Sequence, residues 1–462
     1  MPDPPRREEY TSIVRRHLDF LLAHGTDRYG PVRSPLIGST LDPDAKAMLK
    51  LKPPRVPGMP FVGDTYRSPI YGCNLTLMRH TLMAMRSLSA VTGDGRYQEH
   101  ANRAIRFWLD TCIHPSGVWP VGEHGVWNFY TDEPDMSRAH EPQALLDWPR
   151  YWALAPEKVR EELELMHRLH VFPYEYNGKT LAFHGRHGNS KGSAHGVGGC
   201  GFIRQSGLFG RAWAFLYSKT KNPEHLRWAR DQLDLMWELR DPKTDLCPTQ
   251  IFPPPGATFG GRKYPARIGC GTQPIWSAIG FLDATQWLDD PADRKLFFDR
   301  AVPLAVANFK VYYKWNGKRF TDPRLRWNSS THMPGGGWLL MKVWERAGKP
   351  SLLLDQAKRV ADERMKNWRP LKTTDAGRYG WNIMFFVQLH NETGEQKYLD
   401  FARRLGDYAS ANLVSPQGLV VGSCHYRYYD RMYHVPKLTQ ALLALDHPRH
   451  PAVEPLLREP YF

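Results

Sequence analysis

Along most of the chain, apolar residues return at i, i+3, i+4 and i+7, the period of an amphipathic helix. The segments YTSIVRRHLDFLLAHG, LTLMRHTLMAMRSLSAVTG, FDRAVPLAVANFKVYY and WNIMFFVQLHNETG carry it most clearly. Period-two alternation is scarce, so strands are not expected to organise the fold. The pattern predicts helical hairpins at 72–113, 142–169, 200–240, 272–312, 333–367 and 377–413, with single helices at 7–24 and 434–445.

Three junctions repeat one form: TGDGRYQEHA from Thr92, TKNPEHLRWA from Thr220 and TGEQKYLDFA from Thr393. Each ends a helix with Thr and a turn. Each then places Tyr or His five residues on and Ala nine residues on. That is the requirement of an αα-hairpin: a tight turn, a ring packed across the pair, and a small residue where the helices approach. RAGKPSLLLDQA is a looser fourth copy. Six hairpins and two leftover helices make seven pairs if the ends meet. The predicted fold is therefore all-α, a closed (α/α)7 toroid in one domain spanning 1–462. An open solenoid is the alternative; it needs polar capping helices, which neither terminal segment resembles.

In such a ring the loops entering the inner helices converge on one mouth. Those loops are 25–70, 114–141, 171–199, 241–271, 313–332 and 414–433. The third contains LAFHGRHGNSKGSAHGVGGCGF, with three histidines, Arg186, Lys191 and seven glycines directly before a helix. Glycines allow backbone to approach a ligand closely. Imidazole, guanidinium and Asn189 supply donors.

Charge narrows the choice of partner. The formal net charge is +15 and the hydrophobic fraction 42%. A strongly basic protein attracts polyanions. Lys and Arg are scattered rather than gathered in an arm or tail, which argues against nucleic acid. With 16 Trp and 21 Tyr, an acidic polysaccharide is the better fit, since sugar faces stack on rings and carboxylates pair with Arg. No apolar run approaches the ~20 residues of a membrane span. The six cysteines form no CxxC pair, so a structural zinc site is not expected. MPDPPRREEY lacks the apolar core of a signal peptide, giving a cytoplasmic protein, or a secreted or periplasmic one if a leader has been removed.

Two chemistries suit these loops. Glycoside hydrolysis needs facing carboxylates, but Glu123, Asp132, Glu133, Asp135 and Glu141 all lie in one loop, with only Asp64 or Asp430 as partners from elsewhere. β-Elimination on a uronate needs its carboxylate neutralised and a Tyr or His to move protons. Loops rich in Arg, His, Asn and Tyr favour the second.

GEHGVWNFYTD, AHEPQ and FHGRHG before a helix resemble uronate-specific polysaccharide lyases of the (α/α)7 toroid type, the glucuronan and mannuronan lyase family. The resemblance implies a Tyr acting as base and acid, with Asn, His and Arg around the carboxylate. Arg186, His187 and Asn189 match that cluster in kind, and His140 is a further catalytic candidate. Tyr264, beside Arg262, is the implied proton carrier and Tyr428 the reserve. Substrate contacts are expected from Arg262, His195, Glu141, His124, Trp127, Arg378, Tyr379, Trp381, Arg427 and Tyr428, with Trp127 and Trp381 as sugar platforms. No cofactor is expected, although His140, Glu141, His187 and His195 are types that ligate a divalent metal. Plainer readings stand beside these. His140 and Glu141 are equally suited to pairing and capping a helix, and for at least two of the tyrosines of YRYYDRMY packing on the rim is the better reading. The alternative functions are a hydrolase of uronate-containing oligosaccharides and a non-catalytic polyanion binder.

Overall fold

The computed structural model describes residues 9–51, 70–122, 125–136, 140–142, 146–185, 201–251, 258–259, 262–263, 272–319, 321, 336–370, 375–431 and 434–459. Among them are fifteen α-helices: α1 Tyr10–Phe20, α2 Leu75–Thr92, α3 Arg96–Thr111, α4 Trp148–Leu154, α5 Pro156–His170, α6 Ile203–Thr220, α7 Pro223–Glu238, α8 Thr272–Ala284, α9 Pro291–Tyr312, α10 Gly336–Arg346, α11 Ser351–Asn367, α12 Ala376–Thr393, α13 Gln396–Leu413, α14 Val435–Asp446 and α15 Glu454–Arg458.

Burial sorts them into two layers. In α12 every residue from Tyr379 to His390 is buried, as is every residue of α14 from Val435 to Leu445. A helix covered all round lies inside a fold. In α3 only Tyr97, His100, Ala101, Ala104, Ile105, Trp108 and Leu109 are buried, one stripe at helical spacing. The inner layer runs α6, α8, α10, α12, α14, α2, with the short and only partly buried α4 beside α6. The outer layer is α3, α5, α7, α9, α11, α13 and, from the other end of the chain, α1. The short α4 is tied to α2 and α3 by Arg86 to Asp147 at 2.9 Å and by Arg150 to Asn102.

The two ends of the described chain meet. The α1 helix packs on α14, which also touches α2 and α12. Thr11 donates to Asp446 Oδ2 from its N–H at 2.7 Å and its hydroxyl at 2.9 Å. The Tyr10 hydroxyl lies 2.8 Å from both Asp407 Oδ1 and Arg403 O. Buried His17 accepts from Val420 N–H at 3.1 Å, and burial holds its pKa down at about 3.

The repeated junctions have one geometry. Thr92, Thr220 and Thr393 bond back to the carbonyls of Leu88, Leu216 and Leu389, at 2.7, 3.0 and 2.7 Å. Each hydroxyl also accepts from the N–H two residues on, in Asp94, Asn222 and Glu395. The chain then turns through a left-handed residue, Gly93, Lys221 or Gly394. Ala101, Ala229 and Ala402 are fully buried where the helices meet.

Two elements differ from the sequence reading. Val171–Tyr176 and Lys179–His184 form an antiparallel hairpin inside the third loop. Its two-residue turn, Asn177–Gly178, has both residues at positive φ, a type I′ pattern. Beyond α14 the chain turns beneath the ring as α15. Ser87 donates to Ala452 O and Asn391 to Pro448 O, both at 2.6 Å. Ser87 and Asn391 lie near the C-terminal ends of inner helices, so the tail covers the end of the ring opposite the mouth.

Candidate functional site

Three tryptophans occupy the first two turns of adjacent inner helices: Trp276 on α8, Trp338 on α10 and Trp381 on α12. Their rings form an arc, with centroids 6.0 Å apart for Trp276 and Trp338 and 4.6 Å for Trp338 and Trp381. His434 continues the arc, 5.9 Å from Trp381. The backbone of His434 is left-handed, φ 54°, at the entrance to α14. Such strain in a non-glycine residue is held only where the surroundings determine it.

Cations lie on this arc. Lys342 Nζ is 4.8 Å from the Trp338 ring and Lys437 Nζ 4.8 Å from the Trp381 ring, favourable cation–π distances. Lys342 also donates to Gln388 Oε1 at 3.1 Å and to Leu457 O. Lys437 is fully buried, and among the described residues its ammonium has no hydrogen-bond acceptor. Burial drives its pKa well below the ordinary lysine range, with Glu459 opposing the shift and Arg79, Lys342 and Arg431 adding to it. On the α2 side, Arg79 pairs with Glu459, and Arg431 reaches Thr76 O at 3.4 Å. Among the described residues neither ring nitrogen of His80 has a hydrogen-bond partner. Burial holds the imidazole neutral, reinforced by Lys437, Arg79, Arg431 and His434.

The ring interior therefore combines aromatic faces, several cations and an uncommitted neutral imidazole. That set can stack a sugar, neutralise a carboxylate and accept a proton. His80, Lys437, Trp338 and Trp381 are all covered in this structure, at 2%, 0%, 0% and 0% exposure.

Tyr264, Arg186, His187, Asn189, His195 and His124 lie outside the described residues. Arg262 is in a two-residue strand opposite Phe259. Trp381 is brought to the arc, as a buried wall rather than an open platform. Trp127 is not: it is 3% exposed, in a strand paired with Gly72–Cys73, its ring edge-on to Phe107 at 6.4 Å. In this structure it is a buried residue away from the arc rather than an open platform. Arg378 and Tyr379 turn toward the α12–α13 pair. Arg378 reaches Asp375 at 3.4 Å, and Tyr379 stacks on Tyr408 at 5.5 Å. Both line a small cavity with Arg364 and Trp368. Tyr428 packs with Tyr426, Leu77 and Val126, the rim packing that its sequence also allowed. Arg427 is exposed and lies 3.5 Å from Asn412 O.

His140 and Glu141 are fully buried. His140 sits in a chain of three side chains. Glu162 Oε1 is 2.8 Å from His140 Nε2, His140 Nδ1 is 3.0 Å from His170 Nε2, and His170 Nδ1 is 2.9 Å from Gly185 O. The carbonyl can only accept, so His170 donates to it and receives from His140. His140 Nε2 then needs a donor, which Glu162 supplies when protonated. Burial pushes the Glu162 carboxyl well up, opposed by the Trp119 N–H, and holds His140 down at about 3. Both nitrogens of His140 are committed inside this relay. It fixes Gly185 at the end of the hairpin, and proton transfer to a ligand is not open to His140 in this arrangement. His184 ties the same strand to α7 and to the entry of α6, with Gln232 Oε1 at 2.9 Å and Phe202 O at 3.0 Å.

Among the described residues no group of three His, Cys, Asp or Glu is arranged to hold a metal ion, and no helix is long and apolar enough to cross a membrane. Arg79, His80, Lys342, Lys437, His434 and Glu459 escape the sequence reading, which looked for chemistry in loops. Their signal is a cation inside an otherwise apolar helix: Lys437 in VPKLTQALLALD and Lys342 in GGWLLMKVWER.

No protein-family model and no curated protein sequence matches the chain. Solved structures resemble it along nearly its whole length. A sugar epimerase from a ruminal bacterium has TM-score 0.48 at 12% identity, over 95% of this chain and 98% of the other. A family 76 glycoside hydrolase from a bovine Bacteroides thetaiotaomicron strain has TM-score 0.48 at 10% identity, over 96% and 78%. An unsaturated glucuronyl hydrolase specific for heparin has TM-score 0.40 at 11% identity, over 95% and 98%. Likenesses of this degree assign neither family nor activity.

Proposed function

We propose that the protein is an enzyme acting on a uronate-containing polysaccharide, and that it cleaves the chain by β-elimination. The observation that carries this reading is the wholly buried Lys437 amino group over Trp381, without an acceptor among the described residues, beside neutral His80 and flanked by Arg79 and Arg431. Burying an ammonium without an acceptor is costly. A ligand carboxylate supplies the missing acceptor and restores the charge. With the carboxylate neutralised, the hydrogen on the adjacent carbon becomes acidic. His80 takes that proton, the electron pair forms the C4–C5 double bond, and the C4–O bond breaks as its oxygen is protonated. In the proposal Tyr264 remains the sequence candidate for proton transfer, and Arg186, His187 and Asn189 for holding the carboxylate.

A panel of polyglucuronate, alginate and related acidic glycans tests the reading. New ultraviolet absorbance from the conjugated double bond, lost in Lys437→Met and His80→Ala, is expected. Reducing ends without that absorbance would mark a hydrolase, and binding without product a polyanion receptor; either overturns the proposal.

A further inference from the structure

The chain's last described residue reaches the centre of the ring. Glu459 pairs with Arg79, with side chains 9% and 4% exposed. Burial pushes its carboxyl up, but Arg79, Lys437 and Arg211 more than reverse that and leave it below its ordinary value. The tail that carries it is anchored rather than loose. Leu456 and Leu457 are each 1% exposed. Lys342 donates to Leu457 O, and Arg346 to Arg458 O at 3.0 Å. Beneath Glu459 lies a polar cavity of about 360 Å³, lined by Arg211, Asp283, Arg346, Glu454 and Arg458 among others. There Asp283 serves both Arg211, at 3.7 Å, and Arg346, at 2.6 Å. The guanidiniums of the cavity thus have their own carboxylate. Glu459 lines the same cavity near Arg211, but its ion pair is with Arg79, on the α2 side.

We infer that Glu459 is a specificity-determining residue: it holds one fixed negative charge against Arg79 and Lys437, so that the ring interior accepts a sugar bearing a single carboxylate and discriminates against dianions. This rests on the reading of the ring interior as a uronate site. The physical reason is charge arithmetic. A fixed carboxylate repels a dianion twice as strongly as a monoanion at the same place. Its removal therefore favours the dianion by the interaction of one extra charge pair, on the order of tenfold or more in affinity at an effective dielectric near 20.

The test is calorimetric titration of the full chain with sodium glucuronate and with sodium sulfate, for wild type, Glu459→Gln and Glu459→Asp. Glu459→Gln is expected to bind sulfate at least about tenfold more tightly than wild type, with a smaller gain for glucuronate. Glu459→Asp keeps the wild-type preference. A folded Glu459→Gln with an unchanged sulfate-to-glucuronate ratio overturns the inference. If that variant folds only with added anion, a rescue series replaces the titration: rescue by sulfate at lower concentration than by glucuronate upholds the inference, and failure of sulfate to rescue overturns it. Wild type that binds no glucuronate sinks the uronate reading, while the sulfate response of Glu459→Gln still decides the role of its charge.

Discussion

Glu162→Gln probes the buried relay that holds Gly185. The carboxyl is fully buried, accepts from Trp119 N–H at 3.3 Å and faces His140 Nε2 at 2.8 Å. If it is protonated, as its environment dictates, glutamine reproduces both contacts: its NH2 donates to His140 and its oxygen accepts from Trp119. What changes is the linkage to pH. A carboxyl whose folded pKa is raised above the ordinary 4.5 binds a proton in the folded state that the unfolded state has released. Its contribution is fully present below 4.5 and declines as pH rises toward the folded value, at about 1.4 kcal/mol per pH unit. His140 acts in the opposite sense. Its folded pKa of about 3 against 6.5 makes stability fall as pH drops below 6.5, equally in both proteins. Urea unfolding at pH 5 and pH 8 should therefore find the two close at pH 5, with Glu162→Gln the more stable at pH 8 by at least about 1–3 kcal/mol. His140→Ala, which strips a partner from Glu162 and His170, should cost about 3–5 kcal/mol at either pH. A gap that does not widen between pH 5 and pH 8, or a glutamine variant weaker than wild type at pH 8, would show an ionised Glu162 against an imidazolium and refute the neutral relay.

Lys437→Met should raise stability by about 1–3 kcal/mol, since an apolar chain of similar volume replaces a buried amino group that lacks an acceptor among the described residues, while abolishing glycan binding; a fall in thermal midpoint would count against a lysine kept for function. Thr220→Ala and Thr393→Ala should each cost about 1 kcal/mol in urea titrations, because each removes a hydroxyl bonded on both sides of a hairpin turn, and no loss would leave the repeat without an energetic role. Turnover and binding of a polyanion should weaken as salt rises from low to physiological strength, where the Debye length is about 8 Å; indifference to salt would detach the +15 charge from the substrate.

Helix periodicity made the ring legible because every pair buries a stripe or a whole helix, and the Thr–turn–aromatic–Ala repeat located its corners. The hairpin at 171–184 was missed although Asn177–Gly178 carries its turn signature; the flanking VFPYEY and KTLAFH alternate only weakly, since the hairpin buries few positions. The site was harder to read. Loop composition points to the mouth, but the arc of Trp276, Trp338 and Trp381 is assembled from residues some 40 to 60 positions apart, and each alone reads as core. Lys437 and Lys342 look like solvated lysines until the helices around them are known to be inner ones. His140 shows the converse. Its neighbourhood in sequence suggests chemistry, and only the approach of Glu162 and His170 reveals that both nitrogens are already used.

The seventh pair, α1 with α14, joins the first described helix to one near the other end of the chain. Until α14 has been synthesised, α1 lacks its main partner helix, and Ile13, Val14 and Leu18, all buried in the finished ring, lack part of their cover. At about 5–20 residues per second the ribosome needs on the order of half a minute or more to supply that partner. During that time a growing arc of helices presents its inner, apolar side to the cell. The geometry that seals the interior at completion thus makes the nascent chain a client for chaperones, and it assigns the last cooperative step of folding to the two ends rather than to any hairpin between them.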